Sequence, residues 1–376
     1  MRIAILTSGR FHVCDLAREL ASLNHEVAFY SYVPKARTRQ FGLPDRCHRS
    51  LLKWLAPFVA LSRCRLIQGT SFQQTADEVL IDSLDFIASR VITPCDVFIG
   101  MSGMSSRSAE AVRKKYGARI LIERGSRHIL SQKEILENMP GTKTGMKPVS
   151  ESAVLRELSD YNIADTIVVP SSHVEQSFLE RNIPSTKLFR NPYGVSLDQF
   201  KPTTAPDGPP TIIMVGHWSK RKGCDILVRA WQKLKGVKLL HVGLIGDEPL
   251  PQTEGFEHHD QVDQPRLAQF YARAHVFALA SREEGLAVVQ AQALACGLRV
   301  VCTDRTGGAD LKAFLSDPGL VTVVPHDNHE KLAEALAIAI EKATIITGLR
   351  DTLGNAREQL SWRSYGERYH RELIKV

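Results

Sequence analysis

The hydrophobic period changes repeatedly along this chain, and each change marks an element. "RIAILT" (residues 2–7) is a short continuous apolar run of the kind a buried strand makes, and the Gly-containing turn "SGRF" follows it. Val13, Leu16, Leu20 and Leu23 then recur at helical spacing within "HVCDLARELASLNHEV", and "HEVAFYSYV" reads again as a strand. A strand–helix–strand opening predicts an α/β protein with a parallel sheet. The alternation continues through strand "CDVFIG", helix "SSRSAEAVRKKYG" with its Gly stop, strand "ARILIERGS", amphipathic helix "SESAVLRELSDYNIA", strand "DTIVVPSS" and helix "HVEQSFLERNI". Residues 138–150, "NMPGTKTGMKPVS", read as a mobile loop.

"KPTTAPDGPP" (201–210) is the best linker in the sequence, rich in Pro, Thr and Gly. A second series follows: strand "TIIMVG", helix "CDILVRAWQKL", strand "KLLHVGLIG", helix "PRLAQFYARA", strands "HVFALA" and "RVVCTD", and the helices "HEKLAEALAIAIEKA" and "SWRSYGERYHRELIKV". The expectation is two Rossmann-like βαβ domains, 1–200 and 201–355, facing a deep cleft, with a helix in 356–376 crossing back to the first. Ligands of such sheets sit at the carboxyl ends of the strands.

A chain of 376 residues with 43% hydrophobic content suits two domains. The net charge of +7 is uneven: 26 Lys/Arg face 20 Asp/Glu through residue 200, and 22 face 21 beyond it. The excess is densest in 35–65, where eight cations and the single acid Asp45 surround "LLKWLAPFVALS". Two readings fit that segment: an interfacial contact with an anionic membrane surface, and a helix packed on the sheet with a solvated basic face. The basic residues lack the aromatic interleaving of a nucleic-acid binder. Seven scattered cysteines without a CxxC pair argue for a reducing compartment and against a disulfide framework or a structural zinc. With no signal-peptide pattern and no run long enough to span a bilayer, the expected location is cytoplasmic, peripheral on the membrane if at all.

Two loops carry candidate chemistry. In "SREEGLAVVQAQALACG" a pair of acids, Glu283 and Glu284, stands between the end of a strand and the start of a helix. Gly285 lets the backbone come close to a ligand, and the amides of Leu286, Ala287 and Val288 at the positive helix end suit a phosphate. In "MVGHWSKRKGCD" a strand ends at Gly216, and Lys220, Arg221 and Lys222 crowd the loop beyond it, placed to neutralise a diphosphate. Each loop alone also reads as a helix cap or a solvated charge cluster. Their shared topological position favours one site.

These residues resemble the retaining glycosyltransferases of the GT-B type, in the large family 4 that includes sucrose synthases and bacterial polysaccharide and mannosyl transferases. "EGLAVVQAQALACGLRVV" is similar to the family's acid–Gly segment, "VGHWSKRKGCDILVRAW" to its Gly-Arg…Lys-Gly-x-Asp segment, and "RNPYGVSLDQFKP" to its linker. "DRTGGADL" and "SWRSYGERY" fit as well, so the match covers roughly 155–370, with a looser likeness in "SGRFHVCDLARELASLNHEV". The resemblance implies that Glu284 contacts the donor sugar and that the amides from Gly285 to Val288 hold the distal phosphate. It implies that Arg221 and Lys222 stabilise the diphosphate leaving group, and it places Gly216, His217 and Val262 on the donor side. The family's second Glu binds ribose; here it is Gln292, whose amide oxygen still accepts a hydrogen bond. The family's usual Arg after the strand Gly is His217, and its N-terminal His is missing from "LIERGSRHI". Gly9, Arg10, Glu123, Arg124 and His128 are therefore the acceptor-side candidates. The implied activity is retaining, metal-independent hexosyl transfer from a UDP- or GDP-sugar to a glycan or lipid-linked acceptor, with no cofactor, the diphosphate taking the acceptor's proton. The alternatives are a catalytically impaired sugar-nucleotide-binding partner subunit, motivated by Gln292 and His217, and a GT-B sugar-nucleotide epimerase. An NAD-dependent dehydrogenase lacks its G-x-G-x-x-G after the first strand.

Overall fold

The computed structural model describes residues 1–64, 66, 71–141 and 148–375. Seven strands build the first sheet: β1 (Arg2–Leu6), β2 (Glu26–Ser31), β3 (His48–Ser50), β4 (Val97–Met101), β5 (Arg119–Glu123), β6 (Thr166–Val169) and β7 (Leu188–Arg190). Their order is β3-β2-β1-β4-β5-β6-β7, with every neighbour parallel. Six strands build the second: β8 (Thr211–Val215), β9 (Lys238–Val242), β10 (Phe256–His259), β11 (Val276–Leu279), β12 (Arg299–Thr303) and β13 (Val321–Val324), in the parallel order β10-β9-β8-β11-β12-β13.

Helices cover both faces of each sheet, so the central strands are apolar throughout rather than alternating. Ile3, Ala4, Ile5 and Leu6 of β1 are at most 1% exposed, and Val276 to Leu279 of β11 are fully buried. The strands absent from the sequence reading, β3, β7, β10 and β13, are three or four residues long and lie at or near sheet edges. The helix Ser71–Val91 was likewise not anticipated, although Leu80, Leu84 and Ala88 give it a buried stripe. Of the expected mobile loop at 138–150, residues 142–147 lie outside the described residues, as does Arg65 in the basic segment.

The segment around the linker is strapped down by arginines. Arg350, 2% exposed, donates through Nη1 to the Ala274 carbonyl at 2.5 Å and through Nε to the Thr203 carbonyl at 3.3 Å. Arg357 reaches the carbonyls of Ala295, Leu197 and Phe200 at 2.8, 3.2 and 2.6 Å. The helix Trp362–Leu373 then returns to the first sheet and packs on the helix Phe11–Ser22. Gly366 is the contact point: a side chain there would overlap that of Glu19. Arg119 Nη2 meets Glu372 Oε1 at 3.2 Å, and His25 Nε2 lies 2.9 Å from His370 Nδ1.

Behind the second sheet's carboxyl edge lies His241, fully buried, with Nε2 2.8 Å from the Gly216 carbonyl and Nδ1 2.9 Å from His258 Nδ1. Burial pushes its ring down to about 4, against an ordinary 6.5. The unfolded ring binds a proton as pH falls through about 6.5 and the folded ring does not until about 4. The contribution of this ring to stability is therefore fully present above about 6.5 and is lost on acidification toward 4, by on the order of 3 kcal/mol. A urea-unfolding series at successive pH values checks this: His241→Gln should lose stability more slowly than the wild type between pH 6.5 and 4.

Candidate active site

Strand order decides which loops meet. β8 and β11 are neighbours at the point where the second sheet's order reverses, so connections leave them in opposite directions and open a crevice beyond their carboxyl ends. The loop after β8 carries Arg221 and Lys222, and the loop after β11 carries Glu283 and Glu284.

A buried arginine locks the two loops together. Arg282 is 3% exposed; its Nη1 and Nη2 fork onto Asp225 Oδ1 and Oδ2 at 2.7 and 2.8 Å, and its Nε donates to Asp327 Oδ1 at 2.6 Å. Nη1 also donates to the Lys220 carbonyl at 2.5 Å, and its backbone N–H to the Arg221 carbonyl at 2.9 Å. Register between the cationic and acidic loops is thus set by charge-assisted bonds inside protein rather than by the exposed charges themselves.

At the centre Lys222 pairs with Glu284, and Arg221 Nη1 lies 3.3 Å from Glu284 Oε1, 3.2 Å from Glu283 Oε2 and 3.1 Å from the Glu283 carbonyl. Burial raises the Glu284 carboxyl, but Lys222 and Arg221 outweigh it and hold the group below its ordinary range. Burial lowers Arg221, while Glu284 and Glu283 more than compensate and raise it. Both partners are therefore ionised at neutral pH. The amides of Gly285, Leu286 and Val288 donate to no described residue, whereas Ala287 N–H donates to the Thr306 carbonyl at 3.2 Å. The helix Val288–Ala295 begins there, so unpaired donors and its positive end follow directly on Glu284, the partner of Lys222.

The first half closes on this loop. Ser171 Oγ donates to the Gly285 carbonyl at 2.8 Å, His173 Nε2 lies 2.8 Å from the same oxygen, and Ser126 Oγ donates to Glu283. Ser172 donates from N and Oγ to Asp310 Oδ2, both at 2.9 Å. A side chain at 285 would overlap the Gly125 carbonyl, so this glycine is needed for the approach of the two halves.

The structure brings Glu284, Arg221, Lys222, Gly285, Leu286, Ala287 and Val288 together. Gly216 follows β8 beside Lys222, and exposed His217 comes next. Val262 is half-buried in the loop after edge strand β10. Gln292 faces inward: it is 3% exposed and its Oε1 accepts from Tyr271 Oη at 3.1 Å. Across the cleft, Gly9 sits in a turn closed by Thr7 Oγ1, which donates to its carbonyl at 3.0 Å. Arg10 is engaged elsewhere, over the Phe41 ring at 3.8 Å and 3.9 Å from Asp15. Arg124 is buried against Glu157 at 2.6 Å and Gln132 at 2.7 Å. His128 is 2% exposed among Tyr161 and Phe178, caps the helix Ile129–Glu137, and is pushed down to about 4 by burial. Glu123 meets His12, a residue the sequence reading passed over. That reading also left out Arg282, Ser126, Ser171, His173 and Asp310, which act through contacts between distant segments. Among the described residues no group of three or more His, Cys, Asp or Glu is arranged to hold a metal ion.

Residues 209–342 match the family described as glycosyl transferases group 1. The second half of the chain is thus similar to the group 1 glycosyltransferases. Among curated relatives, a D-inositol 3-phosphate glycosyltransferase of Xylanimonas cellulosilytica is 31% identical over 38% of this chain and 40% of its own length. A GDP-mannose-dependent α-(1-6)-phosphatidylinositol monomannoside mannosyltransferase of Mycolicibacterium smegmatis is 29% identical over 47% of this chain and 53% of its own. The chain thus matches about half or less of the length of these relatives. Its whole fold is that of sucrose-phosphate synthase from Thermosynechococcus elongatus (TM-score 0.68, 18% identity, 100% of this chain and 99% of the other). It is likewise that of Anabaena HepE solved with UDP and glucose (TM-score 0.67, 14% identity, 100% of both chains). The architecture is GT-B, two parallel Rossmann-like sheets, as the sequence led us to expect.

Removing Asp225 takes the two-pronged partner from a buried guanidinium. Asp225→Ala should cost about 3 kcal/mol in urea unfolding, whereas Asp304→Ala, an exposed carboxylate, should stay within about 0.5 kcal/mol.

Proposed function

We propose that the chain transfers a hexosyl group, with retention, from a nucleoside diphosphate sugar to a hydroxyl of a glycan or lipid-linked acceptor. The observation that carries this reading is the Lys222–Arg221–Glu284 ion-pair cluster beside unpaired amides at a helix start. A diphosphate leaving group gathers negative charge as the bond to the sugar breaks. Lys222 and Arg221 are held where that charge develops, and a preorganised donor of this kind is worth about 3 kcal/mol of barrier. The amides of Gly285, Leu286 and Val288 take the distal phosphate, and Glu284 accepts from sugar hydroxyls. Two cations and the helix end supply the neutralisation without a metal or cofactor. His217 and Val262 stand beside the nucleotide. In this reading residues 1–200 receive the acceptor, 201–355 hold the donor, and 356–376 tie the two.

The relatives support a lipid-linked acceptor, since the mannosyltransferase named above acts on a phosphatidylinositol monomannoside. No described helix is long and apolar enough to cross a membrane. The helix Leu52–Ser62 buries only Leu55 and leaves Trp54 and Leu61 about half exposed, next to Lys53 and Arg63. An apolar face flanked by cations suits the anionic cytoplasmic surface of a membrane.

Two experiments test these statements. In a thermal-shift panel of UDP-, GDP- and ADP-sugars, the true donor at a hundred times its Kd stabilises by about 2.7 kcal/mol. Lys222→Ala should abolish that shift for sugar nucleotide and free diphosphate alike, and Glu284→Ala should remove only the part due to the sugar. A wild type that responds to no nucleotide sugar and no nucleoside diphosphate ends the reading. For the surface, sedimentation with anionic vesicles should fall with rising salt and with Trp54→Glu. Equal binding to neutral vesicles counts against it.

A further inference from the structure

The first half holds a cavity that the reading above leaves unassigned. It measures about 720 Å³ and lies among the helices Ser71–Val91, Ile129–Glu137 and Glu151–Ile163. The first of these leads into β4 and the last into β6, so their opening turns stand at the carboxyl edge of the parallel sheet. Ile81, Ile129, Leu136 and Val149 give the cavity apolar walls. Gln74, Asp77, Glu78, Gln132, Arg156 and Glu157 supply most of its polar groups. Apolar walls with a few convergent polar groups suit a small polyhydroxylated ligand.

A hydrogen-bonded path joins this cavity to the donor cluster. Gln132 Oε1 accepts from Arg124 Nη2 at 2.7 Å, which orients the amide, and its Nε2 donates to Ser126 Oγ at 3.3 Å. Ser126 Oγ in turn donates to Glu283, which pairs with Arg221. Two side chains, Ser126 and Glu283, therefore separate the Gln132 wall from Arg221.

The charge of the cavity restricts what enters it. Glu78 Oε1 accepts from Ser152 Oγ at 2.6 Å and from Ser150 Oγ at 2.8 Å, bonds that hold its carboxyl below the ordinary range and keep it ionised. Asp77 accepts from Ser62 Oγ and forms no ion pair with a described residue. Among the described residues that line the cavity the single cation is Arg156, and it is engaged: its Nε donates to the Gly103 carbonyl at 3.1 Å, and its Nη1 stands 3.8 Å from Asp82. Arg124 is taken by Glu157, and Lys133, next to Gln132 in the chain, pairs with Glu151 at 2.9 Å. A phosphate or carboxylate entering here meets two like charges and finds no unpaired cation. The hydroxyls of an uncharged sugar instead donate to the same oxygens.

We propose that this cavity seats the acceptor sugar, that the sugar it takes is uncharged, and that Asp77 and Glu78 set this specificity, an inference that rests on the transferase reading above. Sugar hydroxyls donate to the two carboxylates, and the C–H face of the ring lies on the apolar walls. The Gln74 amide adds a donor and an acceptor beside them. Charges carried elsewhere on a lipid-linked acceptor stay outside the cavity.

The test pairs the nucleotide sugar that stabilises the wild type with p-nitrophenyl glycosides in matched sets: neutral hexoses, the corresponding uronides and the corresponding 6-phosphates. Transfer to at least one neutral glycoside is expected, with KM at least about tenfold higher for its anionic counterparts. Asp77→Asn and Glu78→Gln should each raise the KM of the neutral acceptor about tenfold and leave the donor-induced thermal shift unchanged. Asp77→Arg should improve the uronide while weakening the neutral glycoside, a reversal that a loss of packing does not give. Equal or better transfer to the anionic members, or transfer to none of the set, overturns the proposal. An acceptor KM unchanged in both neutralised variants overturns it as well, and so does loss of their donor shift. Failure of the transferase reading shows separately, as a wild type without a thermal shift from any nucleotide sugar or nucleoside diphosphate.

Discussion

Everything at the site depends on one buried guanidinium. Arg282 cannot be left uncompensated at 3% exposure, so Asp225, Asp327 and the Lys220 carbonyl must stand where they do. The consequence is geometric. The loop after β8 and the loop after β11 keep one register, and two cations and two carboxylates meet without being able to drift apart. Exposed ion pairs contribute little and reorganise freely. Here the Lys222–Glu284 and Arg221–Glu283 pairs inherit their positions from the Arg282 pair.

The same logic shapes the contact between the halves. The first half grips the β11 loop by its main chain, through Ser171 and His173 on the Gly285 carbonyl. That carbonyl belongs to the residue after Glu284, so closure of the cleft and placement of the Glu284 carboxylate are geared to each other.

The second sheet and its two loops were legible in the sequence because parallel strands buried on both faces read as apolar runs. A cation loop and an acid loop after such runs are also local signals. Short strands such as β7, "LFR", and β10, "FEHH", carry too few residues to set a period, and their pairing partners alone make them strands. The carboxyl edge of the first sheet was harder. "ERGSRH" offered three polar side chains in one loop, and the structure sends them apart: Glu123 to His12, Arg124 to Glu157, His128 into the core. The partner of Glu123 lies 111 residues away, a pairing that no local spacing announces. Gln292 shows the opposite case, a polar residue in an apolar run that finds a buried hydroxyl on Tyr271.

The packing of Gly366 against Glu19 has a consequence for how the molecule is made. The helix Trp362–Leu373 covers the helix Phe11–Ser22, yet a ribosome delivers it some 340 residues later. At about 5–20 residues per second, the first half waits tens of seconds with that face bare. Its sheet can assemble early, but its surface is finished only by the last stretch of chain. The order of synthesis therefore couples the maturation of the first half to that of the second. A polypeptide cut at the linker would lack a piece of its own wall.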